Sequence, residues 1–276
     1  MTRTGWSHWL LGKGLRLLVI GLLAIPFLLP LLWMTATALR PAADLFAAPF
    51  RLLPSRLTWD NFSQAWGLLD FRRFIGNSLF VAGMTALASS LSSSIVGYAF
   101  ALLPARGKDL LFLLMMGTII VPPTVLLLPQ FVLFSRLGWT DSFLPLIVPA
   151  FFANAFYVFL FRQFFRTLPS ELFESAEIDG CNPLRAYWQI ALPLSRPALA
   201  AVALFAFIGA WNDFLGPLVY LNSLNRFTLS LGLAMFQGQY PADIQYLMPM
   251  SLVAVLPVAA VFLLLQHYFE ADLLSA

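Results

Sequence analysis

The chain is poor in charged residues. Only 11% of its 276 residues are charged and 60% are hydrophobic, which gives a mean hydropathy of +0.82. An ordinary globular domain has about 25% charged residues, so a water-soluble fold would leave much of this apolar surface uncovered. The lipid bilayer is therefore the predicted solvent for most of the chain. The net charge of +3 fits the flanks of membrane helices and does not indicate nucleic-acid binding.

Cysteine, histidine and lysine are scarce, and each shortage excludes a class of function. The single cysteine, Cys181, excludes a disulfide framework and a thiolate metal cluster. The two histidines, His8 and His267, lie near opposite ends of the chain, so neither a histidine metal site nor an enzyme's nucleophile–histidine pair is expected. The only lysines, Lys13 and Lys108, lie outside any Gly-x4-Gly-Lys-Ser/Thr pattern, so the chain is not expected to hydrolyse ATP alone.

Long apolar runs, by contrast, are abundant. A membrane-spanning helix needs about 20 mostly apolar residues, and six segments reach that length. They are residues 16–39, 75–103, 110–134, 143–165, 197–221 and 244–269. Prolines are tolerated in membrane helices, and kinks are predicted near Pro122 and Pro257. The runs predict an all-α polytopic membrane protein with six transmembrane helices in a single transmembrane domain, residues 16–276.

Basic residues in the short loops predict the orientation of these helices. Loops that stay in the cytoplasm carry an excess of lysine and arginine. Arg106 and Lys108 follow the second segment, whereas Arg136 alone follows the third. The N-terminal segment 1–15 and the C-terminus are therefore expected in the cytoplasm, together with the loop between the fourth and fifth segments. The first apolar run is long enough to span, so it is interpreted as a retained helix and not as a cleaved signal peptide.

The loop at residues 167–195 is the most polar internal stretch of the chain. Four acidic residues lie within nine positions: Glu171, Glu174, Glu177 and Asp179. Ionised groups are costly in the interior of a membrane, so this stretch is expected in water. Composition alone allows either a solvated loop or a docking element for a soluble partner.

Local signals predict two short helices in this loop. Ser170 is a predicted N-cap of the first helix, and Gly180 allows a left-handed turn at its end. Asn182, followed by Pro183, is predicted to cap the second helix. An apolar side of the first helix is formed by Leu172, Phe173 and Ala176. The pattern favours a compact helix–turn–helix over a flexible tether.

The same loop resembles the EAA loop of ABC importer permeases. That motif reads Glu-Ala-Ala-x3-Gly-x9-Ile-x-Leu-Pro, and this chain matches it at Glu174–Ala176, Gly180 and Ile190–Pro193. Ile178-Asp179-Gly180 is similar to the extended form found in the carbohydrate branch. Ser175 and Cys181 stand where the family commonly has alanine, and both are small.

Other stretches resemble the same family. They are Asn77–Leu79, Gly97–Ala101, Phe161–Phe165 with Leu168-Pro169, and Ala210–Phe214 with Pro217-Leu218. The resemblance covers roughly residues 70–270. It is closest to the second permease subunit of oligosaccharide importers of the maltose and lactose type.

The resemblance implies a function and a set of partners. The chain would be a permease subunit of an ATP-driven importer that translocates a sugar or oligosaccharide by alternating access. It would pair with a second permease in a heterodimer, receive solute from an extracytoplasmic binding protein and rest on two ATP-binding subunits. It would hold no cofactor of its own, because those subunits bind ATP and magnesium. It would lie in the bacterial or archaeal inner membrane as a multi-pass protein with both termini in the cytoplasm.

The resemblance also implies a coupling helix at about Glu171–Asp179, which would seat in a groove of an ATPase subunit. The expected coupling residues are Glu171, Leu172, Phe173, Glu174, Ser175, Ala176, Asp179, Gly180, Ile190, Leu192 and Pro193. Polar residues within membrane segments are separate candidates for solute contact. They are Asn154, Trp211, Asn212 and Asp213. Amides and carboxylates suit sugar hydroxyls, and an aromatic ring can stack on a sugar.

Alternatives remain open from the residues. An ion-coupled secondary transporter would need an acid within the membrane, for which Asp213 is the candidate. Glycerol phosphate or a polyol could replace the sugar. A membrane-embedded enzyme would need a nucleophile and a base within hydrogen-bond reach, and the sequence offers no such pair. A structural anchor would not explain the patterned loop at residues 167–195.

Overall fold

A computed structural model of the protein describes residues 4–41, 44, 55–239 and 244–273, with side chains for 16–41, 44, 55–236 and 244–268. All regular structure in those residues is helical, which confirms the predicted all-α class. The helices are α1 (Thr4–Ala38), α2 (Asp60–Leu68), α3 (Phe71–Leu102), α4 (Lys108–Gly117), α5 (Pro123–Arg136), α6 (Leu144–Ile147), α7 (Ala155–Phe165), α8 (Glu171–Ile178), α9 (Pro183–Ala186), α10 (Leu192–Leu194), α11 (Arg196–Asn212), α12 (Leu215–Tyr220), α13 (Leu229–Gln239) and α14 (Ile244–Leu273). Short 3-10 turns occupy Thr118–Ile120, Val148–Phe152 and Leu224–Arg226, and a π-helical turn occupies Tyr187–Ala191.

Four described stretches are long and apolar enough to cross a membrane: Arg16–Ala38, Phe71–Leu102, Leu144–Phe165 and Ile244–Tyr268. Two bent pairs of helices could each form one more span. Lys108–Ile120 meets Pro123–Arg136 at 96°, and Pro183–Leu194 meets Arg196–Asn212 at 79°. The first bend lies at the kink predicted near Pro122, because a residue that precedes proline is pushed out of the helical region. At the other predicted position, Pro257, helix α14 continues without a break. The exact count of six spans stays a prediction.

The fifth predicted segment, residues 197–221, is not one continuous helix. Helix α11 ends at Asn212, and Asp213 adopts an extended backbone before α12 begins. Pro217 explains the break, since a proline cannot donate a helical hydrogen bond and clashes with the carbonyl four residues earlier. That carbonyl belongs to Asp213, which instead accepts a hydrogen bond from the Ser230 hydroxyl at 2.6 Å.

The described residues divide into two compact units. One consists of the described residues of Met1–Leu69 and Met235–Val253. The other consists of those of Asp70–Ala234 and Ala254–Ala276. Both candidate sites found below lie in the second unit.

Helix α3 is the centre of the second unit, where it packs against α7 and α11. Its buried face is made largely of small residues: Ala82, Ala86, Ala88, Ser89, Ser90, Ser93, Ser94 and Gly97. Small residues let membrane helices approach closely. At Gly97 the approach is close enough that an added Cβ would lie 2.5 Å from Phe161 Cβ. Glycine is therefore required where α3 crosses α7.

The serines of α3 bond the backbone of the segment that leads into α7. The Ser92 hydroxyl donates to the Ala150 carbonyl at 2.9 Å, and the Ser93 hydroxyl accepts from the Asn154 backbone N–H at 3.2 Å. Backbone groups outside regular helix need such partners where water is excluded. The serines thus stabilise an irregular segment, Val148–Phe152, beside a membrane helix.

Candidate functional site

The polar loop folds as the predicted helix–turn–helix. Helix α8 ends in a left-handed turn in which Gly180 has φ +76°. The turn is closed by the Cys181 N–H, which donates to the Ala176 carbonyl at 2.8 Å, as is typical of a glycine-terminated helix. Asn182 Oδ1 accepts from the Arg185 N–H at 2.8 Å, and Pro183 is the first residue of α9. The local signals at Gly180 and Asn182 are confirmed.

The prediction that Ser170 caps the first helix through its side chain is wrong. Ser170 precedes α8, but its side chain makes no capping hydrogen bond. Its backbone is already helical, with φ −65° and ψ −29°, whereas a side-chain cap requires a non-helical residue. The Ser170 carbonyl accepts from the N–H groups of Phe173 and Glu174 instead.

Helix α8 has an inner and an outer side. Ala176 is buried and Phe173 is half-buried, with its ring centroid 6.3 Å from that of Tyr98. The outer side carries the exposed acids predicted for coupling, which are Glu171, Glu174 and Asp179. Glu177 is also exposed, but it lies one turn after Phe173 and lines a cavity together with it. Charged groups on one side and apolar groups on the other are typical of a short helix that is fixed to its own protein and presents a surface to another.

Exposed apolar side chains accompany those acids. Leu172 is 41% exposed and Ile178 is 87% exposed on α8, while Leu184 and Trp188 are 63% and 50% exposed on the following turn. Apolar groups grouped on an exposed surface indicate an interaction site. Ile178, Leu184 and Trp188 were not among the predicted coupling residues, although apolar residues in so polar a loop were a usable signal.

The remaining predicted coupling residues support the loop from behind or lie at its edges. Ile190 and Leu192 are half-buried, whereas Pro193 is exposed. The exposed Ser175 hydroxyl donates to the Leu172 carbonyl at 3.1 Å. These positions therefore contribute to the conformation of the loop and add little to the exposed surface of α8.

A buried cluster fastens the loop to three membrane helices. We call it the fastening cluster, and it consists of Tyr98, Phe161, Phe165, Tyr187, Ala191 and Val202. The hydroxyls of Tyr187 and Ser94 share a hydrogen bond of 2.6 Å, and the Tyr98 hydroxyl donates to the Pro183 carbonyl at 3.0 Å. The rings of Tyr98 and Tyr187 lie 5.4 Å apart. Helices α3, α7 and α11 therefore contact the loop through one core.

A second candidate site is a cavity of about 570 Å³. It is lined by Thr85 and Ser89 of α3, Asn154, Tyr157 and Ala153 at the start of α7, and Ala206, Gly209, Ala210 and Asp213 at the end of α11, with Pro123, Leu146, Pro149 and Ala150. The polar groups on its wall are hydroxyls, one amide and one carboxylate, and none of the described residues that line it is basic. Such a wall suits a neutral, hydroxyl-rich solute.

Asn154 and Asp213, two predicted pathway residues, meet at this cavity because both lie at helix breaks. Asn154 Oδ1 caps α7 by accepting from the Phe156 N–H at 2.9 Å. Asp213 Oδ1 accepts from the Gly216 N–H at 3.1 Å at the start of α12. Broken helices in membranes line cavities because their unpaired backbone groups need polar surroundings. Ala153, with φ +59°, is a strained residue on the same wall.

The other two predicted pathway residues do not line the cavity. Trp211 is 4% exposed, stacks on Phe207 and donates from Nε1 to the Ala254 carbonyl at 3.2 Å. Asn212 is exposed and donates from Nδ2 to the Ile208 carbonyl at 3.0 Å. Thr85, Ser89 and Tyr157 do line it and were not predicted. Thr85 and Ser89 are four residues apart, which places them on one face of α3.

A third polar feature joins the loop before α6 to the loop after α12. Asp141 Oδ1 accepts from the backbone N–H groups of Asn222 and Ser223 at 3.0 and 2.9 Å, and Oδ2 accepts from the Ser223 hydroxyl at 2.5 Å. Arg226 Nε lies 3.8 Å from Oδ2. The Ser223 hydroxyl bond, followed by the two backbone bonds, lowers the pKa of the Asp141 carboxyl from 3.8 to about 2. We call this group the Asp141 clasp.

Known proteins provide an independent comparison. The family model for binding-protein-dependent transport system inner membrane components matches residues 93–274. The arabinooligosaccharides transport system permease protein of Halalkalibacterium halodurans is 37% identical, over 93% of this chain and 94% of that protein. The sn-glycerol-3-phosphate transport system permease protein of Yersinia enterocolitica is 32% identical, over 94% of each. In fold, the chain resembles one in the crystal structure of a bacterial ABC transporter involved in the import of the acidic polysaccharide alginate, with a TM-score of 0.78 and 20% identity over 98% of this chain and 99% of that one.

Proposed function

Because the chain belongs to the family of binding-protein-dependent transport system inner membrane components, we propose that it carries a sugar or oligosaccharide across the inner membrane. It is a permease subunit of an ABC importer and not an enzyme. Importers of this family combine permeases, separate ATPase subunits and a binding protein. The ion-coupled alternative therefore has no support.

One observation carries the proposed mechanism: the helices that line the cavity are the helices that hold the loop. Helices α3, α7 and α11 each supply part of the cavity wall, and the residues just before α7 and just after α11 extend it. The same three helices supply Tyr98, Phe161, Phe165 and Val202 of the fastening cluster. Packed interiors transmit displacement because they are close to incompressible. A force on the loop would thus move the cavity walls as one body, as alternating access requires.

The loop would receive that force from an ATPase subunit. The exposed acids and apolar side chains of α8 and α9 form a compact surface that fits a groove with basic and apolar walls. In this arrangement α8 is the coupling helix, the loop and both chain ends lie in the cytoplasm, and the ATPase subunits hold ATP and magnesium. The chain pairs with a second, different permease and needs no cofactor of its own.

The cavity favours a neutral solute over an anionic one. A relative at 37% identity is named for arabinooligosaccharides, and one at 32% identity is named for sn-glycerol-3-phosphate. Phosphate recognition relies on arginine, lysine or clustered backbone N–H groups. Among the described residues, the cavity wall presents Asp213 and no basic side chain, so a phosphate dianion would meet repulsion on this half of the pathway.

Charge reversal on α8 tests the coupling proposal. Glu174→Arg is expected to lower sugar uptake about tenfold or more, because a like-charge contact costs several kcal/mol. Uptake and ATP hydrolysis are measured in vesicles with the partner subunits and binding protein. The matched control is Asp60→Arg, an exposed acid in the first turn of α2. Normal uptake by the α8 variant in an assembled complex would contradict coupling through this helix.

A competition experiment tests the solute class. Vesicles with the complete importer are expected to accumulate a labelled neutral oligosaccharide, and excess glycerol 3-phosphate is expected to leave that uptake unchanged. The comparison includes pentose and hexose oligosaccharides and a polyol. Uptake of glycerol 3-phosphate with none of the oligosaccharides would overturn the sugar proposal while leaving the permease assignment intact.

A further inference from the structure

Five serines lie between positions 89 and 94 of α3, and their hydroxyls have different surroundings. The hydroxyls of Ser92 and Ser93 bond the backbone of the segment that leads into α7, and the Ser94 hydroxyl bonds the loop. These three serines therefore connect α3 to other parts of the chain. Of the other two, Ser89 is among the described residues that line the cavity of about 570 Å³, and Ser90 is not.

Ser89 is buried, yet its hydroxyl has no hydrogen-bond partner among the described residues. The residue is 4% exposed. Apart from the backbone bonds of the helix, it takes part in that portion of the structure through its carbonyl, which accepts from the Ser92 hydroxyl at 3.4 Å. A buried hydroxyl without a partner costs free energy. Because this hydroxyl lies on a cavity wall, a group inside the cavity is expected to complete its hydrogen bond.

Three further groups on the same wall keep hydrogen-bonding capacity. Asn154 uses Oδ1 to cap α7, which leaves the two hydrogens on Nδ2 as donors. Asp213 accepts from the Gly216 N–H at 3.1 Å, with the Leu215 N–H nearby, but a carboxylate has about four acceptor sites. The Tyr157 hydroxyl has no partner within the described residues and can donate or accept. The wall therefore presents donors and acceptors together.

Gly216 makes room for the Asp213 carboxylate. A Cβ at position 216 would collide with Asp213 Oδ2, and it would lie 3.0 Å from a methyl group of Leu146, which also lines the cavity. The carboxylate thus occupies space that exists because residue 216 has no side chain. Its position beside the cavity is set by the local backbone and does not depend on a flexible surface side chain.

We propose that Ser89, together with Asn154, Tyr157 and Asp213, binds the hydroxyls of one saccharide unit during import. This inference rests on the sugar-importer function proposed above. A sugar hydroxyl both donates and accepts, so it matches a wall that presents donors and acceptors together. A site that hydrogen-bonds a substrate hydroxyl discriminates against an analogue that lacks it, because the site's own group is then left unpaired. This subunit therefore selects the solute itself, with Ser89 as a specificity-determining residue.

Competition between a sugar and its deoxy analogues tests the role of Ser89. The probe is the pentose or hexose oligosaccharide that the importer accumulates, mixed in turn with each of its mono-deoxy analogues. The wild-type importer is expected to take up one analogue about two- to tenfold more slowly than the parent sugar, which is the effect of one neutral hydrogen bond. Ser89→Ala is expected to lose that preference. The same binding protein serves both importers, so its own preference cancels in the comparison.

The matched control is Ser90→Ala. It removes the same atom from the next position of the same helix, where the residue is 5% exposed and its hydroxyl is also unpaired among the described residues. This variant is expected to keep the wild-type ratio of uptake. Equal ratios in wild type and Ser89→Ala for every analogue would overturn the inference, as would the same loss of preference in both variants. Uptake of no saccharide by the wild-type importer would instead overturn the proposed function, and this inference with it.

Protection of a thiol provides a second measurement. In a Cys181→Ser background, Ser89→Cys is expected to react with a small water-soluble thiol reagent in the nucleotide-free importer. A saturating concentration of the same oligosaccharide is expected to slow this reaction several-fold, whereas glycerol 3-phosphate is expected to leave it unchanged. A rate that the oligosaccharide does not alter would contradict direct contact. A thiol that reacts in no nucleotide state would show that position 89 does not face the cavity, which would also overturn the proposal.

Discussion

Single residues decide where this chain departs from regular helix. Asp141 holds a left-handed backbone with φ +54°, a conformation that aspartate and asparagine tolerate better than most residues. Its carboxylate then closes the clasp between two loops. Gly97 and Gly180 act in different ways, one by allowing close helix approach and one by allowing a left-handed turn. None of these roles depends on chemistry with a solute.

The Asp141 clasp has a defined pH dependence. The folded pKa of Asp141 is lowered from 3.8 to about 2, so the clasp contributes stability above pH 3.8 that is lost as pH falls towards 2. Between pH 5 and 8 it is expected to stay closed. Asp141→Asn, which keeps the backbone preference but removes the charge, is expected to speed hydrogen exchange several-fold at the Asn222 and Ser223 amides. The control is Asp70→Asn, and equal exchange in both variants would contradict the clasp.

The elements explain how the loop is tied to the membrane helices. The π-helical turn at Tyr187–Ala191 places Tyr187 beneath the loop, where it is 1% exposed. Turns of this kind occur often at functional sites. Its hydroxyl is satisfied by Ser94 of α3, so the loop and a candidate membrane helix share one buried bond.

A double-mutant cycle tests that bond. Ser94→Ala is expected to destabilise the chain by about 1–3 kcal/mol, because it leaves the buried Tyr187 hydroxyl unpaired. Tyr187→Phe is expected to cost less, because the Ser94 hydroxyl still donates to the Leu91 carbonyl at 2.9 Å. The double variant is expected to recover part of this loss, since neither partner is then unsatisfied. Thermal unfolding of the complex measures stability, and sugar imported per ATP measures coupling. Additive destabilisation would contradict the pairing, while an unchanged import ratio in the double variant would leave the bond with only a structural role.

The conformation of the loop could be predicted from local signals, whereas the contacts that depend on packing with other elements could not. Gly180 and Asn182-Pro183 act through their own backbone, so sequence alone was enough for the helix–turn–helix. Ser170 failed because its conformation depends on how α8 begins, which the residue type does not fix. Thr85 and Tyr157 could not be recognised as cavity residues because that role exists only when α3, α7 and α11 are packed together. Trp211 looked functional by type but fills the interior.

At the scale of the molecule, the cavity and the loop are connected by the same three helices, α3, α7 and α11. The wall of the cavity changes when α3, α7 and α11 move. The fastening cluster joins these helices to the loop. If the loop is the coupling element, binding of nucleotide to the ATPase subunits is therefore expected to change the position of the cavity wall.

Thiol labelling tests this coupling across the molecule. In the Cys181→Ser background, Thr85→Cys introduces a thiol on the cavity wall, and Leu87→Cys introduces one on the exposed face of the same helix. The rate of reaction of Thr85→Cys with a small water-soluble reagent is expected to change several-fold between nucleotide-free and ATP-bound importer, because the walls reposition. The rate at Leu87→Cys is expected to stay constant. Constant rates at both positions would argue against movement of the wall.

Helix α3 places its two contacts on different turns. Thr85 and Ser89 face the cavity, while Ser94 and Tyr98 hold the loop. From Ser89 to Tyr98 the rise is about 14 Å, enough for the two ends to be altered separately. The solute preference of such a permease could accordingly be altered by substitutions in the turns of α3 that contain Thr85 and Ser89. The turns that contain Ser94 and Tyr98, and with them the contact to the loop, would stay unchanged.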